Sequence, residues 1–144
     1  MLQEESQPPL PVEQPTTAKT ILVVEDDADN QAFFAALFSE VTVYHYQMTT
    51  DASQTVNFAK EIKPSLFIVD YRLAGMNGLE LYDLLHTTPG LEDVPALLVT
   101  AAQLEALRPE IEKRQISAIE KPFDLDEFLA TVQQLLLIPA CIMI

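Results

Sequence analysis

The sequence predicts an α/β fold, a three-layer α/β/α sandwich built on a five-stranded parallel sheet. Three observations carry that prediction. Five short apolar runs alternate with five helical patterns between Thr20 and Leu137, giving five consecutive β/α units. The first, third and fourth runs, at Ile21 to Val24, Leu66 to Val69 and Ala96 to Val99, are apolar on both alternating faces, as strands covered by helices on both sides should be. Four runs end in reactive polar residues: Glu25-Asp26-Asp27, Asp70, Thr100, and Lys121-Pro122. Parallel strands open their carboxyl ends on one rim, so these groups are expected to meet in the crevice where open α/β sheets take ligands.

The elements follow in order. Residues 1–19 carry Pro8, Pro9, Pro11 and Pro15 among Gln, Glu and Thr and are expected to be a flexible tail, before a folded domain over residues 20–138. A strand at 20–25 leads to a helix at 28–39. There Phe33, Phe34, Leu37 and Phe38 recur at spacings of three and four and read as one core-facing stripe. Asp27 suits the cap of that helix, where its charge meets the positive end of the helix dipole. A strand at 41–46, a helix at 52–61, a strand at 66–70, a helix at 78–87 and a strand at 95–100 come next. The helical stretch within 103–114 contains Pro109, which lacks a backbone donor and biases Arg108 away from helical dihedrals. It is expected to be broken or to start late, with Pro109 near its first turn. A strand at 117–120 precedes a helix at 124–137, where Leu125, Phe128, Leu129, Val132 and Leu136 form a stripe and Asp124 with Glu127 resembles a capping box.

Composition narrows the function. A chain of 144 residues suits one core. Its 8 Lys+Arg against 22 Asp+Glu give a net charge of −14, which repels phosphate backbones and acidic lipid and argues against nucleic-acid binding. One cysteine, Cys141, cannot make an internal disulfide, and no secretory leader pattern opens the chain, so a cytoplasmic setting is expected. The apolar end, Leu135 to Ile144, is too short to insert across a bilayer. Residues 139–144 are expected to pack on their own domain or on a second copy, making a homodimer. His45 and His86 show no ligand spacing and read as surface or partly packed side chains.

The rim residues suggest a chemistry. Neighbouring strands lie about 4.8 Å apart. If the first and third strands are neighbours, Asp26 and Asp70 can share a small cation. Magnesium is the natural choice, a hard ion that joins one or two carboxylates to phosphate oxygens. Without it, clustered carboxylates repel one another and their proton affinities should rise. An aspartate can accept a phosphoryl group as an acyl phosphate once the charge on the transferring oxygens is neutralised. Lys121 and a cation can neutralise it, and Thr100 can donate a hydroxyl hydrogen bond.

The motifs Ile21-Leu22-Val23-Val24-Glu25-Asp26-Asp27, Asp70-Tyr71-Arg72-Leu73-Ala74-Gly75-Met76-Asn77-Gly78-Leu79-Glu80-Leu81, Val99-Thr100-Ala101 and Lys121-Pro122-Phe123 match in order and spacing. Together they resemble the receiver domain of two-component response regulators, the CheY-like family, from about Thr20 to Leu137. The resemblance implies a flavodoxin-like sheet in the order 2-1-3-4-5. It makes Asp70 the phosphoacceptor. Glu25, Asp26, Asp70 and the Arg72 backbone carbonyl would hold Mg²⁺, with Mn²⁺ as a substitute. Thr100, Ala101 and Lys121 would line the phosphoryl group, small Ala101 leaving it accessible, and the Lys121–Pro122 peptide would be cis. Gly78 would open the third helix after a loop that Gly75 relieves.

The sequence departs from the family's pattern in three places: Ala74 where proline is common, Ala118 where the family carries the switch Tyr or Phe, and Pro109 in the fourth helix. These point to an altered output face. The resemblance implies a stand-alone receiver of bacterial type, not an enzyme beyond its own phosphotransfer and dephosphorylation. It would take its phosphoryl group from a histidine kinase or histidine phosphotransfer protein and switch its contacts with a downstream protein. The alternative is a phosphorylation-independent scaffold or adaptor, favoured by Ala118. A small phosphatase or flavin enzyme fits less well. Only three glycines are present, none in a phosphate-cradling loop after the first strand, and Arg72 stands where a phosphatase would want a second acid.

Overall fold

In the computed structural model, which describes residues 19–101 and 104–137, five strands alternate with five helices. The expectations for the proline-rich tail before Lys19 and for the apolar residues after Leu137 lie outside the described residues. The order is β1 (Thr20–Val24), α1 (Ala28–Glu40), β2 (His45–Thr49), α2 (Ala52–Ile62), β3 (Leu66–Asp70), α3 (Gly78–His86), β4 (Ala96–Thr100), α4 (Leu104–Arg114), β5 (Ser117–Glu120) and α5 (Leu125–Leu136). All pairings are parallel, and the sheet runs β2-β1-β3-β4-β5. Strand order reverses at β1, so the carboxyl ends of β1 and β3 flank the switch point where such sheets bind ligands.

Alternation along the strands divides the core in two. Ile21, Val23, Ile68, Leu97, Val99 and Ile119 face one side, packed against Phe34, Leu37 and Phe38 of α1 and Phe128, Val132 and Leu136 of α5. Leu22, Val24, Phe67, Val69, Ala96 and Leu98 face the other, against Ala52 and Ala59 of α2 and Leu79, Leu81 and Leu85 of α3. Helices on both faces explain why β1, β3 and β4 are apolar at nearly every position. Among the described residues no helix is long and apolar enough to cross a membrane.

Four local expectations are corrected. The second strand lies at His45–Thr49, not at 41–46. The α1 helix runs on to Glu40, and Val41 caps it by donating its N–H to the Leu37 carbonyl. The Thr42 hydroxyl then donates to the Phe38 carbonyl at 2.9 Å and accepts the Tyr44 N–H at 3.2 Å, so residues 41–44 turn instead of pairing. Val41 and Val43 are β-branched but exposed, which makes a loop look like a strand.

The fourth helix is continuous over Leu104–Arg114 with Pro109 inside it. Proline at 109 deprives the Glu105 carbonyl of its helical donor. Glu105 is exposed, so water can take that place, and its side chain pairs with Arg108 at 2.9 Å across the same turn. Asp124 caps α5, accepting the Glu127 N–H at 3.2 Å, but the two-way capping box forms at α3: Asn77 accepts the Glu80 N–H and Glu80 accepts the Asn77 N–H, both at 2.9 Å. Finally Phe33, read as core, is 44% exposed at the edge of the α1 stripe.

Candidate functional site

The rim is assembled from the ends of β1, β3, β4 and β5 and the loop after β3. At the end of β1 the chain keeps sheet geometry one residue further, with the Glu25 N–H donating to the Thr49 carbonyl at 3.0 Å. That pairing holds the Glu25 side chain inside, only 1% exposed. Its Oε2 accepts the Asp27 N–H at 3.2 Å, while the Gln31 amide donates to its carbonyl at 2.7 Å. Asp27 serves as the α1 cap, accepting the Asn30 N–H at 2.9 Å. Asp26 stands exposed between them, and its Oδ2 accepts the Ala74 N–H at 2.9 Å, tying β1 to the loop after β3.

Asp70 ends β3 and is 8% exposed. Its Oδ2 accepts the Arg72 N–H at 3.0 Å, and its Oδ1 accepts from Lys121 Nζ at 3.1 Å. The following loop folds back through an antiparallel bridge between Arg72 and Asn77, turns at Gly75 (φ +91°), and closes with the Gly78 N–H donating to the Tyr71 carbonyl at 2.8 Å. Gly78 is required by space. A Cβ there would lie 2.6 Å from the Asp70 carbonyl oxygen and 2.9 Å from Leu98 Cδ1. The start of α3 can press against the Asp70 backbone only where no side chain intervenes.

Lys121 follows β5. Its N–H donates to the Thr100 carbonyl at 2.7 Å, which continues the β4–β5 ladder past its last pair, Thr100 with Glu120. The extension aims the lysine at the rim, where Nζ contacts Asp70 and lies 4.0 Å from Glu25 Oε1. The Lys121–Pro122 peptide is cis. Thr100 is buried at the end of β4, and Ala101 beside it is exposed. Ala118 of β5 is half-buried on the α2/α3 side of the sheet, where Leu107 and Ile111 of α4 also pack.

The structure thus gathers Glu25, Asp26, Asp70, Thr100 and Lys121 on one edge. Arg72 reaches Asp70 through its N–H. Burial pushes the Glu25 carboxyl above the usual carboxylate range and the charge of Asp70 adds to the rise, while the Asp27 N–H and Lys121 pull it back only in part. Proton affinity therefore rises at Glu25, with burial the largest cause and the repulsion expected between neighbouring carboxylates a smaller one. The donors are carboxylate oxygens, suited to a hard cation. Among the described residues no three His, Cys, Asp or Glu side chains are already placed around one metal position. Each carboxylate is turned to its own partner: Glu25 to Asp27, Asp26 to Ala74, and Asp70 to Arg72 and Lys121.

Sequence reasoning missed a neighbouring hollow. Asn30, Phe33, Phe34, Ala101, Lys121, Pro122 and Phe123 line a pocket of about 490 Å³, with the Phe33 and Phe123 rings 6.1 Å apart. The available signal was the position of Phe33 at the margin of its stripe, next to a helix start dense in aspartate.

A parallel sheet in this order with this rim defines a signalling receiver. The chain matches the family model for the response regulator receiver domain over residues 21–133, and it belongs to that family. It is 28% identical over 119 residues to the polar-differentiation response regulator DivK of Brucella anthropi, covering 82% of this chain and 96% of DivK. It is 30% identical over 118 residues to hybrid signal transduction histidine kinase D of Dictyostelium discoideum, covering 81% of this chain but only 7% of that kinase. Among solved structures, chemotaxis protein CheY4 of Vibrio cholerae superposes with a TM-score of 0.74 at 18% identity, covering 82% of this chain and 98% of CheY4. The receiver domain of sensor histidine kinase PA1611 from Pseudomonas aeruginosa superposes with a TM-score of 0.73 at 23% identity, covering 83% of this chain and 98% of that domain, and holds magnesium in its active-site cleft.

Proposed function

We propose that residues 20–138 work as a single receiver module whose Asp70 accepts a phosphoryl group from the phosphohistidine of a histidine kinase or histidine phosphotransfer protein. The observation that carries this reading is the Asp70 carboxylate, held at both oxygens by Arg72 N–H and Lys121 Nζ on a rim with two further acids. In the transfer, an Asp70 oxygen forms a bond to phosphorus as the nitrogen–phosphorus bond of the donor breaks, and the imidazole leaves with a proton from solvent. Lys121 moves its hydrogen bond from the carboxylate to a phosphoryl oxygen, and the Thr100 hydroxyl donates to another. The exposure of Ala101 keeps a path open to the donor and later to hydrolytic water.

Glu25, Asp26, Asp70 and the Arg72 carbonyl would hold Mg²⁺, with Mn²⁺ as a substitute. The cation's contribution is to neutralise the phosphoryl oxygens. Oxygen donors fit such an ion, Glu25 is destabilised as an anion in its absence, and Asp26 gives only one of its two oxygens to Ala74. The magnesium in the PA1611 receiver supports the same reading.

The phosphorylated form adds about −1.5 to −2 charges at the rim and switches contacts with a downstream protein. A single-module role is supported by DivK, nearly all of whose length aligns with this chain. A cytoplasmic place follows from a kinase donor, and the net charge of −14 supports a protein target over nucleic acid or a membrane. A homodimer through the apolar end remains part of the proposal.

One observation favours a second reading, a scaffold that does not use phosphorylation. Ala118 stands at the switch position, and α4, on the usual output side, has no buried residue. Incubation with Mg²⁺ and a small phosphodonor, followed by intact-mass measurement, separates the two. An acid-labile, cation-dependent phosphate in the wild type that is absent from Asp70→Asn supports the receiver. No modification by any donor supports the scaffold.

A further inference from the structure

At the opposite end of the sheet from Asp70, the last turn of α3 meets the segment leading into β4. Tyr82, His86, Glu92, Asp93, Val94 and Arg114 belong to the wall of a pocket of about 320 Å³ there. His86 is half-buried, and both of its ring nitrogens face backbone carbonyl oxygens: Nδ1 lies 3.1 Å from the Tyr82 carbonyl and Nε2 2.8 Å from the Val94 carbonyl. Carbonyl oxygens only accept. A neutral imidazole has one N–H, so one of the two contacts then sets lone pair against lone pair. An imidazolium has two and satisfies both.

We propose that His86 is a pH-responsive clamp, closed by protonation, that fastens the end of α3 to the Val94 segment before β4. The neighbours complete the argument. On α3, the Tyr82 ring lies with its centroid 3.9 Å from that of His86 and tilted by 30°, a platform for a cationic ring, and Asp83 is one turn back. The carbonyl end of the α3 dipole favours a cation in the last turn. Glu92 and Asp93, from the segment before β4, add negative charge to the pocket wall. Arg114, from the end of α4, is the opposing cation, and it is spent on Asp83 at 2.8 Å and Glu110 at 2.9 Å. From β5 and α5 the pocket receives Ser117 and Leu135, which carry no charge.

Proton loss leaves one of the two carbonyls without its ring donor, and where the proton is lost from Nε2 the tie to Val94 is released. The clamp is therefore whole only while the ring holds both protons. No step of phosphotransfer runs through it. Its role is to make the α3–β4 connection, and the pocket beside α4, sensitive to acidity.

The test follows the His86 ring nitrogens by NMR in the full chain between about pH 5 and 8.5, the range in which histidine changes charge. Amide hydrogen exchange across residues 87–95 is compared with His86→Gln, and His45→Gln serves as the control for the second histidine. The clamp predicts two protonated nitrogens at the acidic end. It also predicts exchange in residues 87–95 that is slower than in His86→Gln at acid pH by about three- to tenfold, the worth of one hydrogen bond, with the difference shrinking at alkaline pH. A single neutral tautomer throughout the range, or exchange in His86→Gln with the wild-type pH profile, overturns it. If His86→Gln does not fold, the wild-type nitrogen titration decides alone.

Discussion

Glu25 shows how much of a functional site is set by one side chain's surroundings. Burial beside Asp70 holds its carboxyl above the ordinary range, so the folded, cation-free protein binds a proton there that the unfolded chain has already lost. Stability then falls as pH rises through the raised value and recovers as pH is lowered. Glu25→Gln is expected to unfold at a higher temperature than wild type at pH 8 without divalent cation, with the gap narrowing toward pH 5 and on adding Mg²⁺. Thermal melts with and without chelator check this. Gly78→Ala acts through space. A methyl 2.6 Å from the Asp70 carbonyl oxygen must push α3 away from β3, at a cost of about 1–3 kcal/mol by urea unfolding, together with slower labelling of Asp70. The sequence made Asp70, Thr100 and Lys121 legible as strand-end residues of distinct chemistry. It did not make the Asp26–Ala74 bond legible, because loop register after β3 depends on how Gly75 and Gly78 let the chain double back.

Among the helices, α4 is held differently from the rest. It contributes no fully buried side chain, only Leu107 and Ile111 partly packed, and its last residue is anchored by the two-toothed contact of Arg114 with Asp83 of α3. That guanidinium lowers the Asp83 carboxyl below its ordinary range, so the tether is intact above that range and is lost as acid protonates Asp83 through the lowered value. Asp83 is half-exposed, which keeps the energetic effect small, at most about 1 kcal/mol. Asp83→Asn is expected to leave global stability nearly unchanged while speeding hydrogen exchange in 104–114 more than in α5, whose Phe128 and Val132 are fully buried. By contrast Phe128→Ala should cost about 3–5 kcal/mol. Helices with a wide apolar stripe were readable to within a residue or two. The second strand was not, because Val41 and Val43 have strand propensity but no sheet neighbour, and α1 outlasts its pattern. Pro109 misled in the other direction: an exposed helix tolerates the missing bond because water reaches the freed carbonyl.

At the scale of the whole molecule, the fold followed from alternation of two periodicities, and the position of the site from the parallel sense of the strands. Both are properties of pattern, which survives in a single sequence. Readout is not of that kind. In the proposed function the switch position is Ala118, which packs on the same core cluster as Leu107 and Ile111 of α4, so the proposed signal would leave the rim without an aromatic side chain to report it. The acidic rim and the net charge of −14 set the partner's complement: a basic surface should bind, and salt should weaken the encounter.

The proposed phosphotransfer requires Asp70 as the acceptor and a cation at the acidic rim. Single-turnover transfer from a radiolabelled phosphohistidine protein tests it most directly, run on wild type and Asp70→Asn with Mg²⁺ and again with chelator. Label is expected on Asp70 in the wild type with Mg²⁺, little with chelator, and none in Asp70→Asn. Equal labelling of Asp70→Asn, or transfer indifferent to the chelator, would contradict it.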